Sequence, residues 1–365
     1  MVWPQRYNRG DLHMYYIGMD VHSKVTMVCV LDANGKVIYE YVFKGGLRDL
    51  VDRLKALKSQ LGGTIKVCYE ASGGCGWLFD KLVEMGLKVQ VAHPGKLRMI
   101  FRSKRKNDRV DARKLAMLLF LDQVPLAYVP APDVRAWRKL IEYRGKLVAS
   151  RVATKNRIRA ILRSNGILAP RGLWRATGLA WLMAQELPEF EVIQREMLLE
   201  ELSQVQAKIK RVESVLKKRA ASEPAVCVLK TIPGVGIRTA EAVVAYVDKP
   251  DRFRRNKSVG CYFGMVPCED TSVKSRFGHI TKEGPATVRK LVVEAAWQAI
   301  RRDQTMKEYY ERLCRRDPNR RKIALVATAH HLLRVMHSMM LSGEAWRDPA
   351  AKAAPARPQP LKQPA

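Results

Sequence analysis

Residues 15–43, YYIGMDVHSKVTMVCVLDANGKVIYEYVF, read as three β-strands joined by tight turns, and that reading decides the fold. YYIGMDV and TMVCVLD are rich in β-branched and aromatic residues. Asn34-Gly35 is a strong short-range hairpin signal and leads into KVIYEYVF. An amphipathic helix follows, with Leu47, Leu50, Val51, Leu54 and Leu57 at helical spacing. TIKVCYEA is then a strand of the buried type, 75–86 a helix, LKVQVAH another strand and 108–121 a helix. A strand meander followed by alternating β and α predicts a mixed sheet with helices on its faces.

Downstream the pattern changes. From about 132 to 168 the sequence is helical and basic, and 190–219 is helical again. There Leu198, Leu202, Val205, Ile209, Val212 and Leu216 alternate four and three apart, the seam of a coiled coil formed either between chains or within one. A further domain begins near 223. The expected organisation is a disordered 1–13, an α/β domain over 14–131, a helical and coiled-coil linker over 132–222, a mainly helical domain over 223–345, and a Pro/Ala-rich disordered tail over 346–365.

Composition narrows the partners. At 365 residues and 47% hydrophobic content there is room for two domains with ordinary cores. The formal net charge is +31, from 66 Lys plus Arg against 35 Asp plus Glu. Such an excess repels itself in a compact protein, so a polyanion is expected as partner. No apolar run approaches the roughly 20 residues of a spanning helix, which favours nucleic acid over a membrane. The seven cysteines include no C-x-x-C pair, as expected of reduced thiols in a cytosolic protein. His330, His331 and His337 cluster without metal-ligand spacing, so they read as helix-surface or core residues.

Chemistry on a nucleic-acid backbone usually calls for two divalent ions roughly 4 Å apart, clamped by carboxylates from the ends of neighbouring elements. Asp20 ends the first strand and Glu70 ends KVCYE, positions where an acid has poor strand propensity. In KNDRVDARKL, Asp108 and Asp111 share one helical face. A blander reading makes Asp108 an N-cap and Asp111 a favourable first-turn charge. The run before them, KLRMIFRSKRKN, supplies Arg98, Arg102, Lys104, Arg105 and Lys106, suited to gripping phosphate.

Taken together, YIGMDVHSK, VCYEASGG and KNDRVDARKLA resemble the D, E and D-x-x-D motifs of a RuvC-like, RNase H-type domain. The family resembled is the DEDD transposases of bacterial insertion sequences, relatives of the Piv-type invertases, which use a bridge RNA as guide. The resemblance implies Asp20, Glu70, Asp108 and Asp111 as ligands of Mg²⁺.

Two stretches of the C-terminal part extend it. TIPGVGIRTAEAVVAYV, 231–247, carries the P-G-V-G turn of a helix-hairpin-helix, where Gly234 and Gly236 let backbone N–H groups approach a phosphate. An ordinary tight turn between helices is the alternative. YFGMVPCEDTSVKSRFGHITKEGPATVRK, 262–290, resembles the C-terminal motif of the same transposases through Gly264, Pro267, Ser272, Gly278, Ile280, Thr281, Lys282, Gly284 and Arg289. The family's nucleophilic serine maps to Ser272, with Ser275 a second candidate. Val273 replaces a glycine that normally follows the serine, and Pro285 an asparagine often found there. Lys274, Arg276, Lys282 and Arg289 could supply cations to a phosphorane-like transition state.

The resemblance therefore implies an RNA-guided DNA recombinase that excises and inserts its own element through a serine–DNA intermediate. The implied partners are a guide (bridge) non-coding RNA, donor and target DNA, and further copies of the chain as a dimer or tetramer, with acids and serine from different subunits. No membrane is involved, and the expected location is the bacterial cytoplasm, at the nucleoid. The alternative is a RuvC-like metal-dependent nuclease or junction resolvase using the acids and water alone. A non-catalytic binding protein would leave the strand-end acids unexplained.

Overall fold

The computed structural model describes residues 14–100, 108–270 and 276–347, which divide at Pro132 and Asp133 into two compact units. The first runs β1 (Met14–Val21), β2 (Val25–Leu31), β3 (Val37–Lys44), α1 (Leu47–Leu61), β4 (Thr64–Glu70), α2 (Cys75–Glu84), β5 (Lys88–Ala92), α3 (Pro94–Ile100) and α4 (Asp108–Phe120). The five strands form one sheet in the order β3-β2-β1-β4-β5. β2 pairs antiparallel with β1 and β3, whereas β4 pairs parallel with β1 and β5. The sheet is mixed, as expected. Asp32 Oδ1 accepts from the amides of Asn34 and Lys36 at 2.9 Å each, and Gly35 takes φ 76°, so the β2–β3 turn rests on the residues that predicted it. Helix α3 was not anticipated: its basic residues suggested a charged run more than an element.

Alternation along the strands sorts the two faces of the sheet. Tyr15, Ile17 and Met19 of β1, with Val28 and Val30 of β2 and Ile65, Val67 and Tyr69 of β4, are buried against Leu50, Leu54 and Leu57 of α1 and Leu78 and Leu82 of α2. The opposite face receives α4. Cys68 packs with Leu115, Leu118 and Leu119, and Met27, Cys29 and Leu31 with Ala112 and Ala116.

The second unit runs α5 (Pro132–Ser164), α6 (Ala176–Met183), α7 (Glu189–Ala221), α8 (Pro224–Leu229), α9 (Ile237–Val247), α10 (Ser258–Tyr262), β6 (Pro267–Asp270), β7 (Arg276–Ile280), α11 (Ala286–Arg302), α12 (Gln304–Cys314) and α13 (Arg321–Ser342). The two 33-residue helices α5 and α7 form an antiparallel pair. Asp133 meets Arg219 at 3.4 Å, Arg144 meets Glu213 at 2.6 Å, Thr154 meets Glu201 at 3.0 Å, and Asn165 meets Glu191, so one number falls as the other rises.

The seam of α7 is spent inside the chain. Val205, Ile209, Val212 and Leu216 share a core with Trp137, Ile141 and Leu147 of α5, while Leu198 packs with Ile158, Ile161 and Leu162. A seam already filled by α5 is not open to another copy, so of the two readings of the heptad it is the one within a single chain that holds. The same core takes in α8, α9, α11 and α13. The segment expected as a linker thus shares its apolar interior with the C-terminal part. Trp346, expected in the tail, packs on this core, and its amide donates to Thr231 Oγ1 at 2.8 Å.

Candidate functional site

Helix α4 lies along β1, backbone against backbone at Gly18. A Cβ on Gly18 would fall 2.2 Å from the carbonyl oxygen of Ala112 and 2.3 Å from the amide nitrogen of Ala116, so only glycine admits the helix. Two residues back, the Tyr16 ring meets Phe120 edge-on at 5.3 Å. The pairs Tyr16–Phe120 and Gly18–Ala112 fix the helix antiparallel to the strand. Its N-terminal turn, with Asp108 and Asp111, therefore reaches the Asp20 end of β1.

Glu70 arrives at the same end through the sheet. Gly18 pairs with Cys68 and Met19 with Tyr69 in the parallel β1–β4 ladder, so Asp20 and Glu70 follow as neighbours. Cys68 faces α4, and Glu70, two residues on, points to the same side. Lys66, on that side one step earlier, sets its ammonium over the Tyr16 ring at 5.4 Å. Asp20 and Glu70 thus lie at the carboxyl ends of two neighbouring parallel strands, on the sheet face that receives α4, whose first turn carries Asp111. Asp108 begins α4, and its side chain lies outside the described residues.

The acids already have partners. Asp20 Oδ2 lies 3.4 Å from His22 Nε2, and Asp111 Oδ1 lies 3.3 Å from Lys114 Nζ. His22 escaped the sequence reading; its signal was its position two residues beyond Asp20. Glu40 of β3 pairs with Arg113 of α4 at 3.2 Å and ties the helix to the far side of the sheet. Among the described residues no three His, Cys, Asp or Glu side chains stand together as a metal shell. The side chains at these strand and helix ends offer carboxylate oxygens, the donor type that suits a hard divalent cation. Thiols add nothing here, because burial pushes Cys29 and Cys68 up to about 12.

In the second unit, the motif after Gly264 locks the base of a two-stranded hairpin. β6 and β7 pair antiparallel from Pro267↔Ile280 to Asp270↔Arg276, two strands within a domain expected to be mainly helical. Residues 271–275, including Ser272, Lys274 and Ser275, connect them and lie outside the described residues, as does the side chain of Arg276. A Cβ on Gly264 would meet Glu283 N at 2.3 Å, and one on Gly284 would meet Tyr262 O at 2.1 Å. Arg289 donates to the carbonyls of Phe263 at 3.2 Å, Gly284 at 3.1 Å and Glu283. The motif glycines and Arg289 therefore hold two chain segments against each other. Lys282 is exposed and adopts φ 56° at the end of β7, while its amide donates to Gly264 O at 3.1 Å.

The other expected contacts divide. Gly234, with φ 89°, presses on α11, where a Cβ would meet Ala299 N at 2.5 Å, so packing explains it. Gly236 is exposed with open space beside it. Arg98 is exposed on α3, whereas Arg102, Lys104, Arg105 and Lys106 lie outside the described residues. The histidine cluster is built into α13: His337 Nε2 meets Pro250 O at 2.9 Å, and His331 stacks on Tyr309 at 4.3 Å. Burial, then neighbouring Arg334, lowers the basicity of His330 and His331. Among the described residues no helix is long and apolar enough to cross a membrane.

Comparison with known proteins gives two family matches. Residues 17–166 match a DEDD family described as a transposase, and residues 227–311 match the family described as transposase IS116/IS110/IS902. Among curated relatives, the transposase for insertion sequence element IS1111A of Coxiella burnetii is 28% identical over 291 residues, 78% of each chain. A probable family 20 transposase of Pseudomonas aeruginosa is 24% identical over 341 residues, covering 90% of this chain and 97% of that one. One solved structure, the large terminase nuclease of phage G20c with bound zinc, is 21% identical and covers 33% of this chain and 72% of its own, at a TM-score of 0.22.

Proposed function

We propose that this chain, matched to transposase families over residues 17–166 and 227–311, is an IS110/IS116-type transposase with a DEDD domain and moves its own insertion sequence as an RNA-guided DNA recombinase. One observation carries the reading furthest: strand-end acids Asp20 and Glu70 share a sheet face with the N-terminal turn of α4. In this reading Asp20, Glu70, Asp108 and Asp111 hold divalent metal, Mg²⁺ by the hardness of the oxygen donors. When bound, such a cation supplies positive charge beside the scissile phosphate and makes a nearby hydroxyl more acidic.

The nucleophile in this reading is Ser272. Its Oγ forms the new bond to phosphorus as the bond from phosphorus to one deoxyribose oxygen breaks. The serine proton passes to solvent, and the departing sugar oxygen takes one up. The resulting phosphoserine ester keeps the energy of the broken phosphodiester, so a sugar hydroxyl of another strand can attack it, restore the DNA backbone and release the serine. Lys274, Arg276 and Lys282 supply charge to the phosphorane-like transition state. Arg289, engaged by three carbonyls, orders the base of the hairpin that carries the serine.

The charge of +31 supports the polyanionic partners, a guide RNA together with donor and target DNA. Arg98 and the run from Arg102 to Lys106 belong to that grip. Gly236 opens the turn before α9 to a phosphate, as in a helix-hairpin-helix. Assembly into a dimer or tetramer uses a surface other than the α5–α7 seam, and the chain works in the bacterial cytoplasm, at the nucleoid. A resolvase using water alone would leave the matched region 227–311 without a task.

Strand cleavage of element-end DNA, with Mg²⁺ and guide RNA supplied, tests the metal part. Asp20→Asn and Glu70→Gln should each lower cleavage at least about a hundredfold while nucleic-acid binding stays within about twofold, since each removes a ligand charge without removing bulk. Cleavage retained by both variants would remove the acids from the chemistry.

A further inference from the structure

An open cleft of about 570 Å³ lies beside the turn before α9, bordered by Gly234, Thr239, Val293, Trp297, Gln298 and Leu325. It has the size of a small-ligand site and is mainly apolar. Its floor is stiff, because Gly234 sits against the backbone of Gln298 and Ala299 with no room for a side chain between them. The prominent group is Trp297, 40% exposed on the outer face of α11. A ring this exposed at the edge of a cleft leaves aromatic surface available for stacking. The ring is also held in place: the Arg301 guanidinium lies over it at 5.1 Å, and Tyr310 meets it edge-on at 6.3 Å.

The charges around the cleft indicate what covers it. Lys290 and Arg301 stand on α11, one or two turns from Trp297, and Arg321 and Lys322 stand one turn before Leu325 on α13, all exposed. The one acid on the lining, Glu294, has Lys290 at 4.0 Å. A carboxylate on the lining disfavours a phosphate inside the cleft but accepts hydrogen bonds from the amino groups of bases. A basic rim outside and an aromatic plate within match a strand whose phosphates run along the rim while one base turns inward.

We propose that this cleft binds an unpaired base of single-stranded DNA by stacking on Trp297. The proposal rests on DNA as the transposase's substrate and does not depend on the acids or on Ser272. Bases are unpaired while strands are cut and exchanged, so a stacking site would hold a strand at that stage. A duplex offers no free base and gains nothing from the cleft.

The test is equilibrium binding of a fluorescein-labelled single-stranded DNA oligonucleotide to the full chain, with a duplex and a single-stranded RNA of the same sequence as the other arms. Trp297→Ala should weaken single-stranded DNA binding between about 5- and 150-fold, the range for one lost stacked base. Trp297→Phe should restore most of the affinity. Duplex affinity should be unchanged, and so should the salt dependence on the single strand, because no phosphate contact is removed. Since Trp297→Phe preserves a ring at an exposed site, it reports even if the alanine variant is unstable: binding near that of the parent is expected, and a loss as large as alanine's overturns stacking. Equal loss on duplex and single strand, no loss on single-stranded DNA, or loss confined to the RNA arm would each overturn the proposal.

Discussion

Gly18 of β1 and Ala112 of α4 touch backbone to backbone, with no space for even a methyl group between them: a Cβ on Gly18 would lie 2.2 Å from the Ala112 carbonyl oxygen. The position of the α4 acids relative to Asp20 is therefore set by an absent side chain. A larger residue must move the helix or the strand.

Replacing Gly18 by valine should accordingly cost stability and activity together. Overpacking of this kind costs about 1–3 kcal/mol, visible as a lower midpoint in urea. Strand cleavage should fall further than that loss of folded protein accounts for, because α4 carries Asp108 and Asp111 away from β1. A variant that is stable and cuts normally would show that α4 does not need this approach.

The α7 seam predicts a different failure. Leu202 and Ile209 are each only 5% exposed within the single chain, and Ile209 belongs to its main core. Leu202→Lys with Ile209→Lys should destabilise the monomer fold by several kcal/mol, since truncating one such side chain already costs about 2–5 kcal/mol and two buried ammonium groups add desolvation. Circular dichroism during urea unfolding reads this directly. Unchanged stability with a lower mass by light scattering would place the seam between chains.

Glu241 makes stability depend on pH. It is 1% exposed on α9, and burial raises its pKa above the ordinary 4.5 although Arg238, at 2.9 Å, opposes the rise. Between 4.5 and the raised value, the folded chain holds a proton that the unfolded chain has lost. Stability contributed by this group is therefore present at low pH and lost as pH rises through that window. Glu241→Gln lacks the titration, so its stability relative to the parent should increase from pH about 4 upward and level off above the folded pKa. A difference that stays constant over the range would mean that Glu241 folds with its ordinary pKa.

Much of the first unit was legible because its sheet is patterned at the level of single residues. Asn34-Gly35 marked a turn that does form, and alternation along β1 and β4 separated the residues facing α1 and α2 from those facing α4. Asp20 and Glu70 stood out because acids at strand ends have no packing reason to be there. What the sequence concealed was the use of small or ambiguous residues. Gly18 looked like one more strand residue, yet its missing side chain seats α4. Arg289 looked like a phosphate ligand, and its geometry becomes visible only when three carbonyls converge on it. The apolar positions of α7 picked out in the sequence are ones it buries. Its partner could not be read, because α5 interrupts its apolar positions with cations such as Arg144 and Arg151.

The most direct test of the account is whether protein becomes bonded to DNA. Incubation with guide RNA, Mg²⁺ and a nicked suicide substrate, followed by denaturing electrophoresis, separates a serine ester from free ends left by water. The account predicts a denaturant-resistant protein–DNA adduct that Ser272→Ala and Asp20→Asn both abolish and Ser275→Ala retains. Free DNA ends without an adduct, still produced by Ser272→Ala, would contradict it.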